Sequence, residues 1–267
     1  MKRTRLALAV ALLAIVVPGL SRAADARPGG PGTYIIGGSA AGPTEFPFMA
    51  ALLNENARGS DYDKQFCGGS LITARWVLTA AHCVEGLSPS DLAVTVGRAA
   101  LNSNDGERHS LAAIRVHPTY DVAVLQLDGD SRFTPIRLST DSAQDQALEN
   151  EGTTLTVIGW GTVRTGKPLY PNQLQKVNVP VVSDATCQGA YGAQLDAIAE
   201  VCAGSPGLDS CYGDSGGPLF DNRNPTARVQ VGIVSWGNGC AKKRFPGVYD
   251  EVNNAVIRAW IRTNTGA

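Results

Sequence analysis

Histidine is scarce in this chain. Its 267 residues contain only three, His82, His109 and His117, so chemistry that needs an imidazole has few places to occur. No Cys-x-x-Cys or His-x-x-x-His spacing is present, which leaves a zinc centre without its usual ligand pattern. Basic runs are missing as well. Lys and Arg total 23 against 24 Asp and Glu, a formal net charge of −1, and nothing in that balance favours nucleic acid. Beyond Val17 no apolar stretch is long enough to span a bilayer. Long helical periodicity is rare, and neither an internal repeat nor a low-complexity tail occurs.

The start of the chain reads as an export signal. Lys2, Arg3 and Arg5 precede the apolar run Leu6 to Val17, and Ser21-Arg22-Ala23 and Ala24-Asp25-Ala26 offer small-residue cleavage sites. The expected division is a signal peptide over 1–23 (cut as late as 26), a short propeptide over 24–34 and one domain over 35–267. An uncleaved anchor is the alternative. The expected product is secreted and extracellular, with no membrane attachment after signal removal. Removing residues 1–34 takes away five basic residues and one acid, leaving 18 basic and 23 acidic residues and a formal charge of −5. Six cysteines in an exported chain point to disulfides, although sequence alone leaves 15 pairings open.

Short apolar runs separated by turn residues dominate the rest. One series covers 46–54, 69–73, 75–79, 92–97, 111–116 and 122–127. A second covers 153–159, 173–179, 218–220, 228–236 and 247–252, with the polar stretch 139–152 between the two. Many short strands at this spacing indicate an all-β sandwich or barrel architecture. One helix is expected near the end, over 253–263, with Val256, Ile257, Trp260 and Ile261 on its docking face.

The sharpest chemical signal is Asp209-Ser210-Cys211-Tyr212-Gly213-Asp214-Ser215-Gly216-Gly217-Pro218. Glycines on either side of Ser215 let a substrate carbonyl approach the backbone. A serine hydroxyl is a weak nucleophile unless a base and an orienting acid stand beside it. His82 ends the apolar run Val77-Leu78-Thr79-Ala80-Ala81-His82-Cys83, where small neighbours leave its ring room to turn. His109, between Arg108 and Ser110, reads as solvated surface, and His117 before Pro118 reads as a turn residue. Asp121 opens the strand-like run Asp121-Val122-Ala123-Val124-Leu125-Gln126-Leu127 and is the candidate acid. The plainer alternatives are a half-buried strand-end histidine and a turn-capping aspartate.

Ile35-Ile36-Gly37-Gly38, Thr79-Ala80-Ala81-His82-Cys83, Asp121-Val122-Ala123-Val124 and Gly159-Trp160-Gly161 occur in that order. Gly213-Asp214-Ser215-Gly216-Gly217-Pro218, Ser235-Trp236-Gly237 and Pro246-Gly247-Val248-Tyr249 follow. Through these segments the chain, from Ile35 onward, resembles trypsin-like serine proteases of the chymotrypsin family, above all those secreted by actinomycete bacteria. The resemblance implies two six-stranded antiparallel β-barrels of the chymotrypsin type, barrel one over about 35–140 and barrel two over about 150–252, followed by the C-terminal helix. It implies a serine endopeptidase with His82, Asp121 and Ser215 as catalytic residues and the N–H groups of Gly213 and Ser215 as an oxyanion hole. It also selects the disulfides Cys67–Cys83, Cys187–Cys202 and Cys211–Cys240, each worth on the order of 3 kcal/mol by loop closure.

Substrate binding falls by the same likeness to Asp209, Ser210, Ser235, Trp236, Gly237 and Gly247, with Asp209 selecting Arg or Lys. If Asp209 were instead a solvated loop acid, an apolar pocket of chymotrypsin-like preference would remain. Activation is expected by cleavage before Ile35, whose new amino group pairs with Asp214. The bond cut is Tyr34–Ile35, where relatives carry Arg or Lys, so a separate activating protease is expected. No metal and no cofactor are expected, and Asn102, Asn104, Asp105 and Glu107 lack a convincing calcium-loop spacing. Expected partners are protein or peptide substrates and proteinaceous serine-protease inhibitors, and the expected state is a monomer. A catalytically inactive secreted binding protein on the same scaffold is the alternative function. A Gly-x-Ser-x-Gly α/β-hydrolase is disfavoured because His82 precedes Ser215.

Overall fold

The computed structural model describes residues 35–165 and 167–267; the expected signal peptide, the propeptide and Tyr34 lie outside the described residues. Fourteen strands and four α-helices are present among them. In the first half, β1 (Ser39–Ala40) and β2 (Met49–Asn54) are followed by a one-turn helix α1 (Asp61–Lys64), β3 (Gln65–Thr73) and β4 (Trp76–Thr79). Then come β5 (Leu92–Val96), β6 (Glu107–Val116), β7 (Ala123–Leu127) and β8 (Arg137–Leu138). Strands β2 to β7 without β1 form a closed antiparallel barrel in the order β2-β3-β4-β7-β6-β5. Every residue of β4 and β5 is buried, as continuous apolar strands must be when both faces are covered.

The crossing between the halves holds α2 (Ala143–Gln146). Beyond it lie β9 (Thr154–Gly159), β10 (Gln175–Val182), α3 (Asp184–Tyr191), β11 (Glu200–Ala203), β12 (Pro218–Asp221), β13 (Val229–Trp236), β14 (Gly247–Glu251) and α4 (Ala255–Thr265). Strands β9 to β14 form the second barrel, closed by pairing of β9 with both β10 and β12. Along β10, Gln175, Val177, Val179 and Val181 point inward while their neighbours face out, the period-two pattern of a strand with one covered face. Two closed barrels, mostly strand, with a short C-terminal helix are therefore the architecture.

Each barrel borrows a piece from the far end of the chain. Ser39–Ala40 pairs with β10 and Ile35 is fully buried in the second barrel's core, although barrel one was expected to begin at residue 35. Helix α4 packs Ile257 and Ile261 into the cluster that fills the first barrel. Its face is narrower than expected, because Val256 is 55% exposed. Asn254 caps α4, its Oδ1 accepting from the N–H groups of Val256 and Ile257 at 3.0 and 3.2 Å. The three disulfides pair Cys67 with Cys83, Cys187 with Cys202 and Cys211 with Cys240. No described helix is long and apolar enough to cross a membrane.

Candidate active site

Strand pairing brings the candidate base and its candidate acid together. β4 runs antiparallel to β7 with Thr79 opposite Ala123, so the end of β4 lies beside the start of β7. His82 follows Thr79 by three residues, in a 3-10 turn over Ala81–Cys83, and Asp121 precedes Ala123 by two. Asp121 Oδ2 stands 2.7 Å from His82 Nδ1, and Oδ1 accepts the His82 backbone N–H at 2.8 Å. Ser235 Oγ, at the end of β13, donates to the same Oδ2 at 2.6 Å. One carboxylate thus fixes the ring, the backbone beneath it and a residue of the other barrel. With Nδ1–H donating to Asp121, Nε2 is the ring nitrogen left to accept a proton; Cys83 Sγ lies 3.7 Å from it, and no hydrogen bond joins it to Ser215 among the described residues.

The electrostatics follow from these bonds. The hydrogen bond to Asp121 raises the His82 pKa above its ordinary 6.5, against a burial effect that would lower it. Burial pushes Asp121 upward, but the hydrogen bonds from His82 and Ser235 outweigh it and hold the group below the ordinary carboxylate value. The other two histidines have structural partners. His117 is buried, and its Nδ1 accepts the N–H groups of Thr119 and Tyr120 at 3.1 and 3.0 Å, shaping the turn before Asp121. His109 is not the solvated residue its neighbours suggest: its side chain is 11% exposed, with Asp128 Oδ1 at 3.1 Å from Nδ1.

Ser215 is half-buried in the loop between Cys211 and β12. Its carbonyl accepts the Gly68 N–H at 2.8 Å, across the barrel interface. Gly216 has φ +78°, and a Cβ there would collide with Thr79 Oγ1 and Gly68 O, on the segment that leads to His82. The serine loop is therefore seated on the histidine's own support. The N–H groups of Gly213 and Ser215 donate no hydrogen bond among the described residues, whereas Asp214 N–H between them bonds Cys211 O at 3.0 Å. In a trans peptide the N–H points opposite the preceding carbonyl. Tyr212 O accepts from Thr162 and Asp214 O from Gly217, so both free N–H groups are turned away from those contacts.

Asp214 itself faces inward and is fully buried, accepting from Gly161 N–H at 2.8 Å and Cys211 N–H at 2.9 Å. A side chain at Gly159 or Gly161 would strike its carboxyl. Burial pushes its pKa up to about 7.

A cavity of about 240 Å³ opens beside Ser215, lined among others by Asp209, Ser210, Val234, Trp236, Gly237 and Gly247. Asp209 is 2% exposed; its Oδ2 accepts the Ala241 N–H at 2.7 Å and its Oδ1 has no partner among the described residues. Burial pushes its pKa up to about 7. A Cβ at Gly247 would lie 2.8 Å from that Oδ1, so glycine there keeps the acid reachable. At Gly237 a Cβ would meet nothing closer than 3.5 Å, so only a cavity occupant would require glycine. Ser210 Oγ is 3.1 Å from Tyr249 OH and helps close the floor. The N-terminal strap also reaches this floor, because Ile36 O accepts the Asp209 N–H at 3.3 Å.

A family model described as Trypsin matches residues 35–261, most of the chain. The chain belongs to the trypsin family. It is 40% identical over 250 residues to a trypsin-like protease of Streptomyces glaucescens, covering 92% of this chain and 86% of that one. It is equally identical over 242 residues to a trypsin of Saccharopolyspora erythraea, covering 87% of this chain and all of that protein. Trypsin delta of Drosophila melanogaster is 35% identical over 270 residues, covering 97% and 96%. As a member of the trypsin family the protein is a serine endopeptidase acting on protein substrates.

Two acids near this trypsin-family site escaped the reading of the sequence. Asp250 is 2% exposed and Glu200 accepts the Trp236 Nε1–H at 2.6 Å, both beside Ser235 and Trp236. Each sits in an ordinary strand run, and only the barrel's closure brings them to the site. Two of the four side chains considered for calcium are engaged elsewhere: Glu107 accepts from Ser131 at 2.6 Å, and Asn102 bonds Asn172.

Proposed function

We propose that the protein is a secreted endopeptidase cleaving after Arg or Lys, made as a precursor that becomes active when the Tyr34–Ile35 bond is cut. The observation that carries the specificity is Asp209, buried at the floor of the cavity beside Ser215 with one carboxyl oxygen unpartnered. A carboxylate so placed is costly alone and stabilised by a cation that can reach it. Arginine and lysine are the side chains long enough and charged.

A substrate strand pairs with the Ser235–Gly237 backbone, setting its carbonyl at Ser215. Ser215 Oγ bonds to the carbonyl carbon as its proton passes to His82 Nε2. Asp121 holds the ring by Nδ1 and stabilises the imidazolium, while Ser235 positions Asp121. The oxyanion is received by the N–H groups of Gly213 and Ser215, which have no other bond to give up. Collapse breaks the C–N bond, and the amine leaves with the proton held by His82. Water then repeats the sequence on the ester: His82 takes its proton, the hydroxyl adds to carbon, and Ser215 Oγ departs with that proton.

In the precursor this machinery waits on Asp214. Cutting before Ile35 frees an ammonium that pairs with the buried carboxylate, giving the costly charge a partner. Tyr34 is no substrate for an enzyme selecting cations, so a protease of aromatic or broad preference performs the cut. Proteinaceous inhibitors that present Arg or Lys to the cavity would bind the resulting monomer.

Digestion of a denatured protein by the activated chain, followed by mass spectrometry of the fragments, tests this reading. New C-termini at Arg and Lys are expected. Termini at Phe, Tyr or Leu would remove Asp209 from its role, and no cleavage at all would favour an inactive binding scaffold.

A further inference from the structure

Trp236 lines both the cavity over Asp209 and a second, wider cavity of about 620 Å³. Three carboxyl groups outside the catalytic set line the second one: Asp196, Glu200 and Asp250. His82 and Asp121 form its near wall, and among the described residues no Lys or Arg lines it. The connection from β6 to β7 is only residues 117–122, so little chain overhangs the opening, and the His82 side chain is 44% exposed.

Among the described residues no Lys or Arg pairs with these acids, and the nearest group able to carry positive charge on the cavity wall is His82. Asp250 is buried with its Oδ2 unpartnered, and burial pushes its pKa up to about 7. Glu200 is fixed by Trp236 Nε1–H and by the Asp196 N–H at 2.8 Å, with burial raising its pKa too. Asp250 is the buried one of the three, Glu200 is half-buried and Asp196 exposed, and a buried acid without a cation is unfavourable unless something else supplies the charge. Lone pairs remain for a donor at both Asp250 and Glu200.

Strand geometry says which substrate residue arrives there. Successive side chains of an extended chain point to opposite faces. If the residue before the cut enters the cavity over Asp209, the next one upstream crosses to the His82 side of Trp236. Resting on the proposed peptide-bond cleavage after Arg or Lys, we propose that Asp250, Glu200 and Asp196 form a second cation subsite, selecting Lys or Arg immediately upstream of the cleaved Arg or Lys. The enzyme then favours paired basic residues over isolated ones.

The test uses the activated chain and three p-nitroanilides, Ala-Ala-Lys-Arg, Ala-Lys-Ala-Arg and Ala-Ala-Ala-Arg. Lysine next to the arginine should raise kcat/KM about tenfold or more over alanine, as a charge-assisted contact would. Lysine one residue further should change it by less than about threefold, since that side chain leaves on the other face. In Glu200→Gln and in the near-isosteric Asp250→Asn, the lysine-to-alanine ratio should fall toward one. Because the ratio is taken within one preparation, a smaller folded fraction does not disturb it. A ratio near one in the parent, equal effects at both positions, or an unchanged ratio in both variants would overturn the subsite while arginyl cleavage stands. Failure to hydrolyse any of the three peptides would instead contradict the proposed function, and the subsite with it.

Discussion

At the scale of single residues, the proposed function divides the work between Asp121, which would orient the base, and Asp209, which would choose the substrate. Asp121 accepts three hydrogen bonds, two of them from His82. Asp121→Asn would offer the ring a donor as well as an acceptor and lose the charge that stabilises an imidazolium. A fall in kcat of roughly 10⁴-fold is expected, the loss this enzyme class shows for that change. Steady-state rates with folding checked by circular dichroism would measure it. In the proposed reading Asp209 acts through its charge. With its pKa pushed up to about 7, the empty cavity holds a largely protonated acid below neutrality. A cationic ligand such as benzamidine should therefore bind more weakly as pH falls below about 7, and should release a proton on binding there. Calorimetry in buffers of different ionisation enthalpy reads this, and Asp209→Ser should abolish it while weakening binding by about 3–5 kcal/mol. The serine, histidine and aspartate were legible because each sits in a distinctive local run. Asp250 and Glu200 were not, since nothing in Val-Tyr-Asp-Glu or Ala-Glu-Val-Cys marks a residue that only tertiary closure brings to Trp236.

At the scale of elements, loops seated on strands decide whether the site forms. Gly216 shows this most directly, for its backbone lies against Thr79 and Gly68 at φ +78°. Gly216→Ala should cost upwards of about 2 kcal/mol from strain and collision together. It should also shift Ser215 relative to the Thr79–Ala80 segment that leads to His82, lowering kcat more than KM. Denaturant unfolding and kinetics on the same sample would separate the two effects. The apolar strands were readable from composition, and β4, β5, β7 and β9 fall within a residue or so of expectation. The polar starts of β3 and β6 were not, because Gln65-Phe66 and Glu107-Arg108-His109-Ser110 gain strand structure from their pairing partners. Strand β11 was missed as a four-residue run beginning with Glu200. Helix α3 was overlooked although Ser183 precedes it and Cys187 and Tyr191 share a buried face.

At the scale of the whole molecule, the two barrels are tied by exchanged ends: the Ile35–Ala40 strap lies on the second and helix α4 on the first. Among the described residues, acids are also buried with no Lys or Arg paired to them. Asp209, Asp214 and Asp250 are each pushed up to about 7 from 3.8. The folded state then binds more protons than the unfolded one between about pH 4 and 7, so stability falls as pH rises through that window. The precursor should melt higher at pH 5 than at pH 8 by calorimetry. After cleavage before Ile35, an ammonium beside Asp214 should narrow that difference; an unchanged difference would argue against the pairing.

The claim beneath all of this is that His82 draws the proton from Ser215. Labelling the activated chain with diisopropyl fluorophosphate at a series of pH values tests it most directly. One label per chain is expected, on Ser215, at a rate that climbs as His82 loses its proton above pH 6.5 and collapses in His82→Ala. Labelling at another residue, or an undiminished rate in His82→Ala, would contradict the account.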